Sequence, residues 1–557
     1  MRYWKPCAIG ILILILGYIV TLCCLPPISK DALTHHLAVP KLYLKHGGVY
    51  EIPFMLFSYY PMNIDILYFI SLYFGNDILP KYIHFVFALL TVIWIYVYIK
   101  RKVGDRYAII GAILFLYTPI IVKLSTTVYV DLGLIFFSTG SLLFFLQWVE
   151  KDFSIKYLLL SAIFCGLAMG TKYNGLVTAC LLVLFIPFSF SRLAGPGRLA
   201  GILKPLGYTL LFLLISMAVF SPWMVRNYVW KKNPIYPLCD RWFQSAAGQE
   251  KEDRVGIRAN TGGSVGLFTK RRIVYGETGW EMALLPIRVF FQGEDGDPQY
   301  FDGRLNPFLL ILPLFAFAGS KRDPPLVRYE KWALLAFAVL YFAIVLFTRE
   351  MRIRYIAPII PPLVILSAFG VRNLARKISE LRFHRMRTMG WGLLSGGLLF
   401  FMGWNVPYLV SYFKALDPVP YLTDEIRREE YLVRHVAEYP ALQYINGKLP
   451  LQSRTFFLFL GNRGYYCDRP YILDRGVGFY QIIKNSTRPE QVVSRLRENG
   501  ISHLLIRYDI FDKWRRDRCL FSNSESSMLN QFIKNHTNLL FFKRNYGVFL
   551  LSKSRQP

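Results

Sequence analysis

The residues best suited to chemistry lie between Pro26 and Pro61, directly after the first apolar segment of the chain. Asp31 is followed at i+4 and i+5 by His35 and His36. If the intervening residues are helical, both imidazoles lie near the face of the carboxylate. The stretch therefore has two interpretations. It is a group that handles protons, or it is a helix N-cap in which Ser29 or Asp31 satisfies free backbone amides and the histidines face solvent.

A second acid, Asp131, stands at the start of an apolar run in the sequence TTVYVDLGLIFF. An ionisable group at the edge of an apolar run is costly unless it is paired or functional. Here too a helix N-cap is the alternative interpretation.

Composition shows which elements must position these acids. The chain has 557 residues, of which 54% are hydrophobic and 16% aromatic, and apolar runs of about 18 or more residues recur. This excludes a soluble protein and predicts an all-α polytopic membrane domain. The net charge of +29 is spread between hydrophobic segments. That distribution indicates membrane orientation and contact with anionic membrane lipids, and it argues against nucleic acid as a partner.

The apolar runs predict about eleven transmembrane helices. One further run, Ile64 to Phe74, is too short to span a bilayer and is interpreted as a juxtamembrane or re-entrant helix. The predicted spans are residues 7–25, 80–99, 107–123, 132–149, 157–170, 175–190, 206–222, 306–319, 332–347, 356–371 and 391–413.

Basic connections between these spans predict the orientation. Lys100 to Lys102, Arg192 to Lys204 and Arg372 to Arg387 all fall on one side, which the positive-inside rule assigns to the cytoplasm. We therefore expect residues 1–413 to form the membrane domain, with outward loops at 26–79 and 223–305. Residues 414–557 then form a domain outside the cytoplasm.

The tail after residue 413 is more charged and less apolar, and its pattern predicts a small C-terminal α/β domain. Strand-like runs occur at 455–460, 501–507, 539–543 and 548–551, and helical spacing at 488–498 and 526–535. None of the eight cysteines has metal-ligand spacing. Cys467 and Cys519 either pair in an oxidising compartment or remain unpaired thiols.

Three arginines and one lysine lie on the side where short loops should avoid positive charge. Arg349, Arg352 and Arg354 share one short predicted turn, and Lys172 lies in another. Two interpretations remain open. These cations bind a dedicated phosphate, or they contact lipid headgroups and the neighbouring Glu350.

The motifs of the chain resemble those of a known class of membrane enzymes. Its motifs are similar to those of the bacterial GT-C integral-membrane glycosyltransferases that use polyprenyl-phosphate sugars, a superfamily that includes protein O-mannosyltransferases, the lipid A aminoarabinose transferase and transferases acting on rhizobial lipid A. The resemblance rests on the order and sidedness of Asp31, Asp131, Gly166 to Gly175 (GLAMGTKYNG), Ser221 to Tyr228 (SPWMVRNY), Asn233 to Pro237 (NPIYP) and Arg354 to Pro358 (RYIAP).

The resemblance implies transfer of a monosaccharide, with inversion, from a polyprenyl-phosphate donor to a lipid, glycan or protein acceptor. It also implies an inner-membrane protein with a periplasmic C-terminal domain. The implied roles are catalysis for Asp31 and Asp131, donor-phosphate binding for Lys172, Arg349, Arg352 and Arg354, and substrate binding for His35, His36, Tyr59, Tyr60, Arg226 and Asn227.

Two departures from the class stand out. The class commonly has Asp-Glu in the first loop, where this chain has Asp31-Ala32. It often has a basic or other polar residue before a Pro-Pro pair, where this chain has Tyr60-Pro61-Met62. The missing second acid leaves the cofactor unknown: a divalent metal is possible, but no residue indicates one. The alternative function is a transporter or flippase of a lipid-linked sugar, which would place its charges along a path at mid-membrane. A receptor would explain the tail but not eleven spans.

Overall fold

Long apolar helices make up most of the chain up to Leu416. The computed structural model describes residues 4–193, 200–246, 267–348, 351–517 and 519–552. Within those ranges eight helices are long and apolar enough to cross a membrane. They are Trp4–Cys23, Leu79–Val103, Asp131–Glu150, Gly175–Leu193, Leu203–Lys231, Pro325–Phe347, Ile353–Ser379 and His384–Leu416.

The three other predicted spans are broken or short, which corrects the count of eleven. Residues 107–123 fall on two helices, Asp105–Leu116 and Pro119–Ser125, bent by 67° and forming at most one span. The helix Ile155–Thr171 has 17 residues, and Phe308–Phe315 has only 8. Proline accounts for the break after Leu116, because Pro119 lacks an amide hydrogen and begins the second helix.

Shorter helices fill the connections. The apolar run after residue 63 is the helix Asn63–Tyr73, which confirms that it is too short to span. Further short α-helices in the described residues before Leu416 are Ala38–His46, Asp240–Ala246, Leu267–Val274, Gly279–Ala283 and Leu285–Phe291.

The C-terminal part is a small α/β domain, as predicted. Its five strands are β1 Thr455–Leu458, β2 Tyr471–Leu473, β3 His503–Arg507, β4 Thr537–Lys543 and β5 Tyr546–Leu551. They form one sheet in the order β2-β1-β3-β5-β4. Strand β1 runs parallel to β2 and β3, and β5 runs antiparallel to β3 and β4. Strand β2, with three residues, was too short for the sequence pattern to predict.

Helices complete this domain. They are Val419–Leu422, Arg428–His435, Tyr439–Lys448, Phe479–Lys484, Pro489–Glu498, Tyr508–Arg515 and Asn523–His536. The two predicted from helical spacing are present as Pro489–Glu498 and Asn523–His536. All eight cysteines are free thiols, with Cys467 buried and Cys519 exposed. The predicted alternative of a disulfide between them is therefore wrong, and the unpaired alternative is confirmed.

The C-terminal domain packs on the loop that carries Asp31. The Tyr465 backbone N–H donates to the Leu33 carbonyl at 3.1 Å, and Lys41 Nζ donates to the Tyr465 carbonyl at 2.6 Å. The Tyr465 hydroxyl also donates to Asp77 at 3.1 Å. One hydrophobic core runs from the membrane helices into strands β1, β3 and β5. The domain thus forms part of the wall around the first loop.

Candidate active site

Asp31 lies at the N-terminal end of a π-helical turn, Ala32–His36. The Leu37 N–H donates to the Ala32 carbonyl at 3.0 Å, which closes the wider i to i+5 ring of a π-helix. Although Asp31 occupies the cap position, its side chain makes no capping hydrogen bond. The N-cap interpretation is therefore wrong for Asp31, and its carboxylate is available for another partner.

That partner is Arg354, which lies 323 positions later in the sequence. The Arg354 Nη1 donates to Asp31 Oδ2, and the two side chains are 11% and 21% exposed. Burial by itself raises the pKa of Asp31, but the charge of Arg354 and the hydrogen bond from it outweigh burial and hold that pKa well below its usual range. Asp31 is therefore an ionised carboxylate held by a guanidinium.

The two arginines lie at the start of the helix Ile353–Ser379. Arg352 is the extended residue before the helix, with φ −124° and ψ 136°, and the Ile353 N–H donates to the Phe301 carbonyl at 2.9 Å. Met351 and Ile353 are fully buried, and Arg354 lies in the first turn of the helix. Arg349 lies outside the described residues, and its predicted role in phosphate binding stays a prediction.

Asp131 is the first residue of the helix Asp131–Glu150 and is 1% exposed. Its Oδ1 accepts from Lys172 Nζ at 2.6 Å, and no side chain caps this helix. The capping interpretation is thus wrong for Asp131 as well. Lys172 sits in the tight turn before Gly175, where an added Cβ would lie 2.4 Å from the Met169 backbone nitrogen. The turn can fold back on its own helix only because that residue is glycine.

His84, which the sequence did not single out, fixes the segment before Asp131. Its Nδ1–H donates to the carbonyls of Leu124 and Thr127 at 2.8 and 2.9 Å, and its Nε2 accepts from the Leu132 N–H at 2.9 Å. Both ring nitrogens are therefore occupied, and the imidazole is neutral in this geometry. It holds the loop from residue 124 to 132 in place.

The two acid–cation pairs share aromatic neighbours. The Tyr355 ring centroid lies 5.3 Å from Lys172 Nζ and 5.3 Å from the Arg354 guanidinium, and Tyr129 lies 5.2 Å from that guanidinium on another side. These rings favour the cations by cation–π attraction while shielding them from solvent. Tyr129 was also missed, although it stands two residues before Asp131.

Four buried polar atoms around these pairs have no hydrogen-bond partner in the described part of the chain. They are Ser29 Oγ, His35 Nδ1, Asp131 Oδ2 and Arg354 Nε. Unsatisfied buried polar atoms are rare in folded proteins and cluster where a ligand or water completes the network. Two of the four belong to the ion-paired residues themselves. The Asp31–Arg354 and Asp131–Lys172 pairs can therefore each form a further hydrogen bond with a polar ligand.

A cavity of about 440 Å³ opens beside the Asp31–Arg354 pair. Among its lining residues are Asp31, Lys81, Tyr129, Arg352 and Arg354. Asp131, Lys172 and the histidines do not line it. The first pair thus faces the cavity, and the second supports it from behind.

A third charged group lies on the wall of this cavity. Arg352 Nη1 contacts Asp302 Oδ2 at 3.1 Å, while Lys123 Nζ contacts Asp295 at 2.9 Å and Asp302 at 3.8 Å. Arg352 and Arg354 therefore each hold a carboxylate, and the Arg354 Nε in addition has no hydrogen-bond partner among the described residues. Lys123, Asp295 and Asp302 carried no signal in the sequence beyond their charge.

Tyr59, Tyr60, Arg226 and Asn227 meet in a separate cluster. Arg226 Nη2 donates to the Tyr60 carbonyl at 2.9 Å, and Asn227 Nδ2 donates to the Tyr59 carbonyl at 2.8 Å. The Arg226 guanidinium lies between two tryptophan rings, at 4.7 and 5.1 Å. These residues hold the first loop against the helix Leu203–Lys231, and none of them lines the cavity. Their predicted contact with substrate stays a prediction.

The described residues do not fit a resident metal ion. Each site carboxylate is already paired with a cation, and nowhere in the described ranges do three or more His, Cys, Asp or Glu side chains converge to hold a metal. A divalent cation needs several oxygen or nitrogen ligands directed at one point. We therefore derive no step through a metal.

Comparison with known protein families gives one match over part of the chain. Residues 62–225 match the family model for dolichyl-phosphate-mannose-protein mannosyltransferase. The match includes Asp131 and Lys172 but not Asp31 or Arg354. No curated protein matches the sequence significantly.

Solved structures match over nearly the whole chain. ArnT from Cupriavidus metallidurans, bound to undecaprenyl phosphate, has a TM-score of 0.55 at 15% identity, covering 99% of this chain and 98% of its own. The archaeal oligosaccharyltransferase AglB from Archaeoglobus fulgidus, with an inhibitory peptide and a dolichol-phosphate, has a TM-score of 0.53 at 14% identity, covering 100% and 75%. The resemblance predicted from the motifs is thus confirmed, and the chain is a multi-pass membrane protein with the GT-C glycosyltransferase fold.

Proposed function

We propose that the protein transfers a monosaccharide from a polyprenyl-phosphate donor to a hydroxyl of a lipid, glycan or protein acceptor, with inversion at the anomeric carbon. The observation that carries this proposal is the Asp31–Arg354 pair on the cavity wall. Such a transfer needs a proton acceptor for the hydroxyl and a fixed cation for the leaving phosphate. The pair supplies both within one contact.

Arg354 has two roles in this mechanism. One guanidinium nitrogen holds Asp31, while Nε has no partner in the described part of the chain. Because a guanidinium presents several donors in one plane, it can hold the carboxylate and a phosphate oxygen together. Arg354 would then align the base with the leaving group and stabilise the negative charge that develops on the phosphate.

Asp31 would act late in the displacement. Its pKa lies well below the usual range because the charge of Arg354 and the hydrogen bond from it outweigh burial. Such a carboxylate is a weak base for an alcohol. The hydroxyl becomes acidic enough only as its oxygen bonds to the anomeric carbon and the bond to phosphate breaks, so we expect the proton to move after bond breaking has begun.

Asp131 and Lys172 would support this centre electrostatically. Lys172 Nζ binds Asp131 at 2.6 Å, which leaves Asp131 Oδ2 unpartnered among the described residues. The pair adds no net charge, but Asp131 acts on Arg354 and Lys172 acts on His35. Because Lys172 does not line the cavity, we assign the pair to the support of Arg354 from behind the cavity wall, and binding of the donor phosphate by Lys172 stays a prediction.

The orientation of the chain belongs to the same proposal. We infer that the cavity and the C-terminal domain lie on the periplasmic side of the inner membrane, because the basic connections then face the cytoplasm. The site charges lie in loops and at helix ends around one cavity. This supports transfer at one face over passage of a lipid-linked sugar through the bilayer, for which charges at mid-membrane would be expected.

The test uses full-length protein in lipid nanodiscs with synthetic polyprenyl-phosphate sugars and an acceptor extract of envelope lipids. Release of polyprenyl phosphate together with a mass shift on an acceptor is expected for the native protein. In Asp31→Asn the release should fall at least on the order of a hundredfold, because the amide cannot accept the proton. Arg454→Gln, a surface change in the C-terminal domain, is the control. The proposal is wrong if no donor is consumed, or if Asp31→Asn keeps native turnover.

A further inference from the structure

A second carboxylate, that of Asp302, lines the same cavity as Asp31. Asp302 lies in the loop between the helices Leu285–Phe291 and Phe308–Phe315. Among the described residues that line the cavity, these two are the acidic ones. The Asp302 side chain is 19% exposed, so a ligand in the cavity can reach it. The proposed mechanism uses Asp31 and leaves Asp302 without a role.

The backbone is strained where it presents Asp302. Phe301 and Asp302 have φ of 68° and 42°, in the left-handed region that residues with a side chain seldom adopt. Phe301 is fully buried, and its carbonyl accepts from the Ile353 N–H at 2.9 Å. Strained residues persist where the surrounding structure holds them, and they cluster at functional sites. The packing of Phe301 thus fixes the direction in which Asp302 leaves the loop.

Three neighbours fix the Asp302 carboxylate itself. Oδ1 accepts from the Gly296 N–H at 3.0 Å, and Oδ2 accepts from Arg352 Nη1 at 3.1 Å. Lys123 Nζ lies 3.8 Å from Oδ1. The two hydrogen bonds use two of the about four acceptor positions of an ionised carboxylate. The group is therefore oriented in advance and can still accept a hydrogen bond from a ligand.

Asp302 and Asp31 are held by two arginines of one short segment. Arg352 holds Asp302 and Arg354 holds Asp31. Two steps along a chain span at most about 7 Å, so the two arginines enter the cavity wall close together. Burial is the main reason that the pKa of Tyr129 is raised, and the charges of both carboxylates raise it further. Both acids thus lie within electrostatic reach of one hydroxyl on the cavity wall.

The Asp302 side chain is not what closes its loop. The Glu294 N–H donates to the Tyr300 carbonyl at 3.0 Å, and the Gly303 N–H donates to the Glu294 carbonyl at 3.2 Å. The Asp302 N–H also donates to the Asp297 carbonyl, at 2.9 Å. These backbone hydrogen bonds hold the loop without any carboxylate. The side chain is therefore free to serve the cavity.

A glycosyl donor has a second part that the cavity must recognise. In the proposed function, the Asp31–Arg354 pair meets the phosphate and the anomeric carbon. The other ring carbons of a sugar carry hydroxyls, which both donate and accept hydrogen bonds. A carboxylate beside a guanidinium matches them, because one hydroxyl can donate to Asp302 while its neighbour accepts from Arg352. The volume of about 440 Å³ also lies within the usual range of small-molecule sites.

We propose, resting on the proposed function, that Asp302 recognises the donor sugar by accepting a hydrogen bond from one of its ring hydroxyls. Arg352 is the positioning residue that orients the Asp302 carboxylate. The donor class is then a monosaccharide with a free hydroxyl at the position that faces the loop 294–303. A sugar that lacks this hydroxyl leaves a desolvated carboxylate with an unmade hydrogen bond, so it is a poor substrate.

The experiment pairs a change in the protein with a change in the sugar. Native protein, Asp302→Gly and Asp302→Asn are compared in nanodiscs. The donors are synthetic polyprenyl-phosphate hexoses and pentoses, together with the monodeoxy analogues of the one that the native protein consumes. Glycine and asparagine both tolerate the left-handed region, so neither adds strain to the loop. Asp297→Asn is the matched control, because Asp297 lies in the same loop and does not line the cavity.

We expect the native kcat/KM to fall about 10- to 150-fold for one monodeoxy analogue, because a hydrogen bond to a charged group is lost. Asp302→Gly should lose a similar factor with the complete sugar and little more with that analogue, since the contact is already absent. With every other analogue it should lose the same factor as with the complete sugar. Asp302→Asn should lie between, because its amide oxygen accepts without a charge. Binding of polyprenyl phosphate alone should not change in any variant.

A merely structural role gives a different pattern. Asp302→Gly would then lose the same factor with every sugar, as Asp297→Asn would if it disturbs the loop. That pattern would overturn this assignment, and so would folded variants within about twofold of native kcat/KM or a native protein that consumes all analogues equally well. The proposed function would still stand on the loss of turnover in Asp31→Asn.

Two further outcomes are also decisive. If Asp302→Gly is not recovered folded, the same comparison with Asp302→Asn decides, because asparagine keeps the shape of the side chain. If the native protein consumes no polyprenyl-phosphate sugar, the proposed function and this inference are both wrong.

Discussion

Replacing Arg354 with lysine tests the site most directly, because it keeps the charge and removes the planar fork. Arg354 Nη1 holds Asp31, and Nε has no partner in the described part of the chain. A lysine nitrogen at the same place can retain the carboxylate but cannot also present a second aligned donor to a phosphate. The variant therefore separates charge from geometry.

The magnitude follows from the contact that is lost. One hydrogen bond to a charged group contributes about 1.5 to 3 kcal/mol, which corresponds to a fall in kcat/KM of roughly 10- to 150-fold. Arg354→Ala is a harsher change, since it leaves Asp31 ionised and 21% exposed without its cation. Loss of one partner of a buried pair costs about 3 to 5 kcal/mol, so part of the alanine effect would be misfolding.

The assay measures turnover per folded molecule with a synthetic polyprenyl-phosphate sugar at several concentrations. Arg507→Lys is the matched control, because Arg507 makes a two-pronged contact with Asp509 at 2.9 Å in the C-terminal domain, away from the cavity. We expect the control to keep native kinetics. Native kinetics for folded Arg354→Lys would refute the assignment and leave Lys172 as the next candidate for the phosphate.

Four further outcomes are expected. Asp31→Asn should bind polyprenyl phosphate up to about tenfold more tightly in an equilibrium titration, because removing the carboxylate frees Arg354. Weaker binding would contradict the proposal that Arg354 holds Asp31 and the phosphate together. A chelator such as EDTA should leave turnover unchanged, because the site carboxylates are already paired with Arg354 and Lys172; a loss that added Mg²⁺ restores would show that a metal takes part. Asp77→Asn weakens the contacts of Asp77 to Arg428 at 2.5 Å and to Tyr465 at 3.1 Å, and it should therefore speed limited proteolysis of the C-terminal domain. The control Asp417→Asn, at an exposed position, should not. Equal digestion of the two variants would argue against Asp77 as an anchor of the C-terminal domain. Gln452→Cys, in a background with Cys239 and Cys519 changed to serine, should react with an impermeant thiol reagent in intact spheroplasts; labelling only after lysis would reverse the proposed orientation.

Much of the membrane domain follows from the sequence alone. Long apolar runs indicate helices because a helix satisfies its backbone hydrogen bonds within its own segment, as the interior of a bilayer requires. Every predicted span has a helix or a helix pair in the structure. The pattern could not show where Pro119 breaks a span or that Phe308–Phe315 ends early, because hydropathy counts apolar residues without regard to proline geometry.

For the charged residues, too, the sequence showed some features and could not show others. Asp31, Asp131, Lys172 and Arg354 stand out in the sequence because an ionisable group beside an apolar run needs a reason to be there. Their types and positions suggested a base and a phosphate site before any contact was known. The sequence could not show that the residue expected to bind phosphate also holds the expected base.

Only the tertiary structure decided how these charges are paired. Asp31 meets Arg354 across 323 positions, and Asp131 meets Lys172 across 41. Local periodicity reports which face of a helix is buried, but the packing of helices from distant parts of the chain determines which charges face each other. The π-helical turn Ala32–His36 is likewise held by packing, since the His36–Asp65 contact and the Tyr465 hydrogen bond to Leu33 both come from outside the turn.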